Sequence, residues 1–307
     1  MENEQNKYSL ENPRMAPLKA AFFGLLIVLT LNTAAAGILH LLIFGFDAGN
    51  LNSTAAKLLQ IANQLWFFLL PGLVLSLYIF GDVTKLIRFK LPKIKELGFF
   101  GLGMLFLMPI INNLIVVQNY LLVQASEKVP LIKNILQGLQ SLDTMLESSY
   151  KNLLTPSNAF DVAIIIVVVS ITPAVCEEVF FRGFLQRAFE LRFNKFIGAL
   201  ISATIFGMLH LNPFGTIGLI ILGMYFGFSV YRSGSIFVGM FLHFVNNFFA
   251  VLAFLIPSVG DQQGSGSLQI SFVQFIDALK VVILLSIAFG IVIYLINSYY
   301  KRRNIYS

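Results

Sequence analysis

Eight times between Pro17 and Asn297 the chain settles into an apolar run read as long enough to cross about 30 Å of hydrocarbon as a helix. They cover approximately residues 17–45, 62–80, 97–123, 160–181, 196–211, 214–231, 235–256 and 274–297. Inside a bilayer the backbone must satisfy its own hydrogen bonds, so runs of this length read as spanning helices. Composition agrees, with 57% hydrophobic and 12% charged residues where a soluble domain carries about 25% charge. The expected fold class is all-α, a polytopic membrane bundle of about eight transmembrane helices.

The first run follows a polar segment, is too long for a signal-peptide core and is followed by no small-residue cleavage site, so it reads as a retained span. Placing the N-terminus in the cytoplasm puts sixteen lysines and arginines on the inner side. Only Lys57, Lys128, Lys133, Lys151 and Lys280 fall outside. That asymmetry predicts an integral protein with both termini cytoplasmic; the expected location is a bacterial inner (plasma) membrane. The net charge of +6 lies in short loops between spans and sets topology, so no nucleic-acid partner is expected. Residues 1–15 read as a disordered cytoplasmic tail and 16–307 as a single transmembrane helical domain. Within 125–158, Leu131, Ile132, Ile135, Leu139, Leu142, Leu146 and Leu153 recur at helical spacing, which predicts an amphipathic helix on the outer side. Residues 261–267 read as a flexible outer turn. The single cysteine, Cys176, excludes an intrachain disulfide and a thiolate zinc cluster, and reads as inert packing.

Against this apolar background one stretch is anomalous: Cys176-Glu177-Glu178-Val179-Phe180-Phe181-Arg182 sets two acids and a guanidinium at the end of the run 162–171. A charge at that depth is costly unless it pairs, protonates or lines a wet cavity. A helix end whose acids snorkel to water is the plain alternative. His210, His243 and Asn247, each inside a downstream apolar run, add polar groups that snorkelling does not explain. Glu178 and Arg182 are four apart and share a helix face, as do His243 and Asn247, whereas Glu177 points about 100° from Glu178. Glu178 can therefore be held ionised by Arg182 while Glu177 faces a cavity. Pro173 removes a backbone donor four residues before Glu177 and bends the helix. Taken singly, His210 and Asn247 are ordinary interhelical hydrogen-bond residues, His40 is structural, and Lys280 snorkels. Together, two acids, two imidazoles, a guanidinium and an amide supply a base, a proton carrier and oxyanion donors.

Glu177-Glu178-x-x-x-Arg182, Phe206-x-x-x-His210 and His243-x-x-x-Asn247 resemble, complete and in order, the three motifs of the CAAX-processing and bacteriocin-processing (CPBP, or Abi) family of intramembrane proteases. The resemblance covers about residues 160–256, which would then form the catalytic core. It implies an eight-helix endopeptidase acting on peptide or membrane-protein substrates within the lipid bilayer. By similarity Glu177 and His210 activate water, His243 and Asn247 hold the oxyanion, and Glu178 and Arg182 support them. No cofactor is expected. The alternative is zinc or another divalent metal held by Glu177, His210 and His243, since two histidines and a glutamate form an accepted catalytic set. A proton-coupled transporter would also bury Glu, His and Arg, although the chain shows no internal repeat; a catalytically silent scaffold is the third reading. Prenylated CAAX proteins, secreted-peptide leaders and anti-sigma-type membrane proteins are equally compatible substrates.

Overall fold

The computed structural model describes residues 8–32, 53–256 and 268–305, so His40 and the turn expected over 261–267 lie outside the described residues. Every apolar run contains a helix. These are α1 (Pro17–Thr30), α2 (Thr54–Phe80) and α3 (Ile94–Lys128), then the intervening α4 (Pro130–Leu154), followed by α5 (Ala159–Arg192), α6 (Lys195–Leu209), α7 (Thr216–Ser233), α8 (Ile236–Leu255) and α9 (Phe272–Arg302). Among the described residues six, namely α2, α3, α5, α7, α8 and α9, are long and apolar enough to cross a membrane. The other two, α1 and α6, are shorter, so six crossings rather than eight meet that length. The protein is an all-α integral membrane protein, and α4 realises the amphipathic segment read from its three-and-four spacing.

Local chemistry sets the element ends. Gly81 closes α2 in the left-handed conformation (φ 75°) with its N–H returned to Leu77 O, a geometry that a side chain disfavours. Asn158 caps α5, its side-chain oxygen accepting from Asp161 N at 3.0 Å. After α6, Asn212-Pro213 forbids further helix: Pro213 has no N–H, and Asn212 Oδ1 accepts from Gly215 N at 2.7 Å to start the next one.

The helices cluster into two compact units. The first holds residues 1–92, 152–202 and 226–252, hence α1, α2, α5 and most of α8. In it α2 and α5 run parallel, because Lys57 meets Asp161, Gln64 meets Glu177, and Gly72 abuts Val179 and Phe180. Phe80, Phe180, Phe181 and Phe184 pack its core. Residues 8–15, read from composition as part of the tail, run against the end of α2: Arg14 N donates to Ile79 O at 2.8 Å, and its guanidinium lies over Tyr8 and Tyr78. The second unit holds residues 93–151, 203–225 and 253–307. There α3 and α9 pack antiparallel, with Tyr300 donating to Glu96 at 2.9 Å at one end and Tyr120 stacked on Phe275 at the other. Tyr225 is tied to the same helix pair through Phe100 O at 2.6 Å.

Candidate active site

Two wide π-turns shape α5, at Val167–Ile171 and Val179–Leu185, and leave Thr172–Glu178 as a short α-helical piece between them. Pro173 accounts for the first. In an α-helix the N–H of residue 173 would bond Val169 O, but proline has none and its ring crowds that carbonyl, so the turn widens. Asn247 of α8 takes over the stranded carbonyl, its Nδ2 donating to Val169 O at 2.9 Å. The wide turn also sets direction. Sixteen residues of unbroken α-helix would leave Asp161 and Glu177 about 160° apart, whereas the residue taken up by the turn brings them to within about 60°, so both face α2. The second wide turn is met by α6, where Ser202 Oγ donates to Phe181 O at 2.8 Å.

The two adjacent acids have different surroundings. Glu178 is fully buried and forms an ion pair with Arg182 at 2.7 Å, the i,i+4 contact expected from sequence. The same oxygen, Oε1, lies 3.0 Å from His243 Nδ1. A carboxylate accepts, so the imidazole carries a hydrogen on Nδ1, and Nε2 is the nitrogen directed at Glu177. That nitrogen stands 4.0 Å from Glu177 Oε2, too far for a direct hydrogen bond and near enough for one water molecule to touch both. Glu177 Oε1 accepts from Gln64 Nε2 of α2 at 2.8 Å. Among the described residues Glu177 has no lysine or arginine in ion-pair reach, and neither acid's Oε2 has a hydrogen-bond partner. Phe226 floors the cluster, stacked on the His243 ring at 5.3 Å with the Arg182 guanidinium 5.3 Å from its centroid.

One face of α8 supplies three groups at four-residue steps. At Gly239 a Cβ would come within 2.7 Å of Glu178 Oε2, so only glycine leaves the carboxylate its place. His243 binds that carboxylate, and Asn247 reaches Val169 O. The sequence grouped His243 with Asn247 by spacing; in the fold their side chains hold two different points of α5. His210, in the second unit, lies not inside a helix but in the turn just after α6. Its Nδ1 is 2.7 Å from Phe206 O, and its ring lies against Phe206 at 4.4 Å. A carbonyl only accepts, so this contact places the hydrogen on Nδ1 and leaves Nε2 as the acceptor in the neutral ring. Cys176 is fully buried and unbridged. Among the described residues no three His, Cys, Asp or Glu side chains are grouped to hold a metal ion.

Residues 159–249 match the family described as Type II CAAX prenyl endopeptidase Rce1-like. Over these residues the chain is similar to that family, the one its sequence motifs resemble. A Bacillus subtilis (strain 168) protein described as "Putative membrane peptidase YdiL" is 33% identical over 96 residues. That alignment takes in 31% of this chain and 39% of the relative, so the chain spans well under two thirds of the relative's length. No solved structure gives a significant match. The matched segment contains all six site residues expected from sequence: Glu177, Glu178, Arg182, His210, His243 and Asn247. Gln64 lies outside it. It escapes sequence reading because it is an ordinary amide near the start of an apolar run, and nothing local joins it to an acid 113 positions away. Gly239 offered a weak signal, a small residue four places before His243.

Proposed function

We propose that the protein is an intramembrane endopeptidase that hydrolyses peptide bonds of membrane-associated or leader-peptide substrates with water activated by Glu177. The observation that carries this reading is the unequal treatment of two neighbouring acids. Glu178 has a cation and an imidazole N–H at hydrogen-bond distance; Glu177 has an amide. Counting Arg182 against both acids leaves one negative charge in a buried cluster, and a proton taken from water by Glu177 cancels it. In this scheme the water's proton passes to Glu177, its hydroxide adds to the scissile carbonyl carbon, and the carbonyl oxygen becomes an oxyanion. Glu177 then returns the proton to the departing amine as the C–N bond breaks, giving a carboxylic acid and an amine. The family resemblance assigns the oxyanion to His243 and Asn247; with Nδ1–H committed to Glu178, the imidazole donates to the oxyanion only when Nε2 is also protonated, and Glu178 with Arg182 fixes the ring. The resemblance pairs His210 with Glu177 in handling the proton, and an open Nε2 suits that task.

The scheme requires no metal or other cofactor. If Glu177, His210 and His243 hold zinc instead, the ion would supply Lewis-acid polarisation of the carbonyl. The substrate meets the site within the membrane, with both termini of the chain cytoplasmic, a placement supported by the sixteen-to-five distribution of basic residues. The test is cleavage of an internally quenched peptide library by the purified protein, with Glu177→Gln and His210→Ala as controls. Hydrolysis by the parent that both variants lose is expected. Absence of hydrolysis, with pH-gradient-driven uptake into liposomes, would move the function to proton-coupled transport.

A further inference from the structure

Among the described residues Glu177 receives one direct hydrogen bond, from the buried Gln64 at 2.8 Å, and Gln64 lies outside the segment matched to the family. The orientation of that amide is fixed by chemistry. Turned over, Gln64 would set its oxygen against a carboxylate oxygen, two acceptors facing each other, so the nitrogen must face Glu177. Its Oε1 then points elsewhere, buried and without a hydrogen-bond partner among the described residues. We infer that Gln64 is a positioning residue for the proposed hydrolysis: by holding Oε1 of Glu177 it aims Oε2 toward His243 Nε2, where the attacking water would sit. The inference rests on the endopeptidase reading. A neutral donor suits the task, because a lysine at this position would neutralise the charge that has to take the proton, whereas an apolar residue would leave the carboxylate free to turn.

The surroundings limit what else could set the behaviour of Glu177. Within this unit its own piece of helix brings Glu178, with Arg182 one turn on; α8 brings His243; and α2 brings Gln64 and, a turn and more earlier, Lys57, which pairs with Asp161. The wide turns Leu65–Leu69 and Val167–Ile171 carry no ionisable side chain. Gln64 is thus the group whose replacement alters the hold on Glu177 without touching the Glu178–Arg182–His243 cluster.

Two substitutions separate positioning from packing. Gln64→Leu keeps bulk but donates nothing, and kcat should fall roughly tenfold to a hundredfold, the worth of one hydrogen bond to a charged group, with KM little changed. Gln64→Glu is isosteric and donates only while the introduced acid is protonated. Its rate relative to the parent should be highest at low pH and fall as the pair loses its shared proton and the two acids repel. A residue that only fills space would show no such pH-dependent ratio. Infrared difference spectra against Glu177→Gln locate the Glu177 carboxylate band, which should move in Gln64→Leu. Parental kcat in Gln64→Leu, a pH-independent ratio in Gln64→Glu, or an unmoved band would each overturn the inference. Should the parent cleave none of the quenched peptides, the endopeptidase reading falls, while a band that moves in Gln64→Leu still upholds Gln64 as the group that holds Glu177.

Discussion

Asp161 and Glu177 sit on one helix, face one neighbour and are both buried, yet α2 offers them opposite partners. Asp161 receives Lys57, whose ammonium lies 2.7 Å from each carboxylate oxygen, and a further hydrogen bond from Ser157 N. Glu177 receives a neutral amide on one oxygen and no hydrogen bond on the other. The first site is closed: its charge is matched and its acceptors are used. The second keeps a charge in reserve. Within a single helix pair the difference separates a carboxylate that fastens two helices from one able to do proton chemistry, and it does so without reference to motif.

The sharpest way to break the comparison is at Glu177 itself. Glu177→Gln keeps volume and removes the base, so cleavage of the quenched peptides should fall by roughly 10²- to 10⁴-fold with an unchanged melting curve. A variant that cleaves like the parent would end the distinction. Arg182→Ala should damage fold and activity together, costing on the order of 3–5 kcal/mol of stability, because it leaves Glu178 buried without its cation. Melting at the parental temperature would show that the Glu178 side is not the structural half of the pair. Asp161→Asn tests the closed site: a lowered melting temperature, smaller in extent than for Arg182→Ala, with kcat preserved in the folded fraction. A selective loss of kcat would mean that Asp161 shares in the chemistry. The smallest expected effect is that of exhaustive chelation, which should leave turnover unchanged because the proposed oxyanion donors are His243 and Asn247. One ion per chain by elemental analysis, with activity lost on its removal and restored on its return, would replace the glutamate scheme with the zinc alternative.

What could be read from sequence follows the range of the interaction. Apolar length predicted the helices, and three-and-four spacing predicted α4 and the Glu178–Arg182 pair, because all of these are settled within a few residues. Contacts across helices were not legible. That His243 turns Nδ1 to Glu178 depends on how α8 lies on α5, and the Gln64–Glu177 bond depends on α2. Asn247 shows an intermediate case. Its spacing from His243 was plain, but its bond to Val169 O follows from Pro173 leaving that carbonyl unused, which joins a local rule to a distant partner. His210 was misplaced for a local reason: the helix-breaking force of Asn212-Pro213 reaches back past it, so it stands in a turn rather than within a span.

The wide turn at Val167–Ile171 bears on how the gene can change. Such a turn stores one residue beyond the α-helical count, so a one-codon deletion there can be absorbed by the turn tightening to a proline-kinked α-helix, with Asp161 and Glu177 still on the same side. The seven residues Thr172–Glu178 hold no such slack. A codon gained or lost among them would swing the acids about 100° relative to the chain before them, exchanging their partners. Insertions and deletions in α5 should therefore be found before Pro173 and not after it.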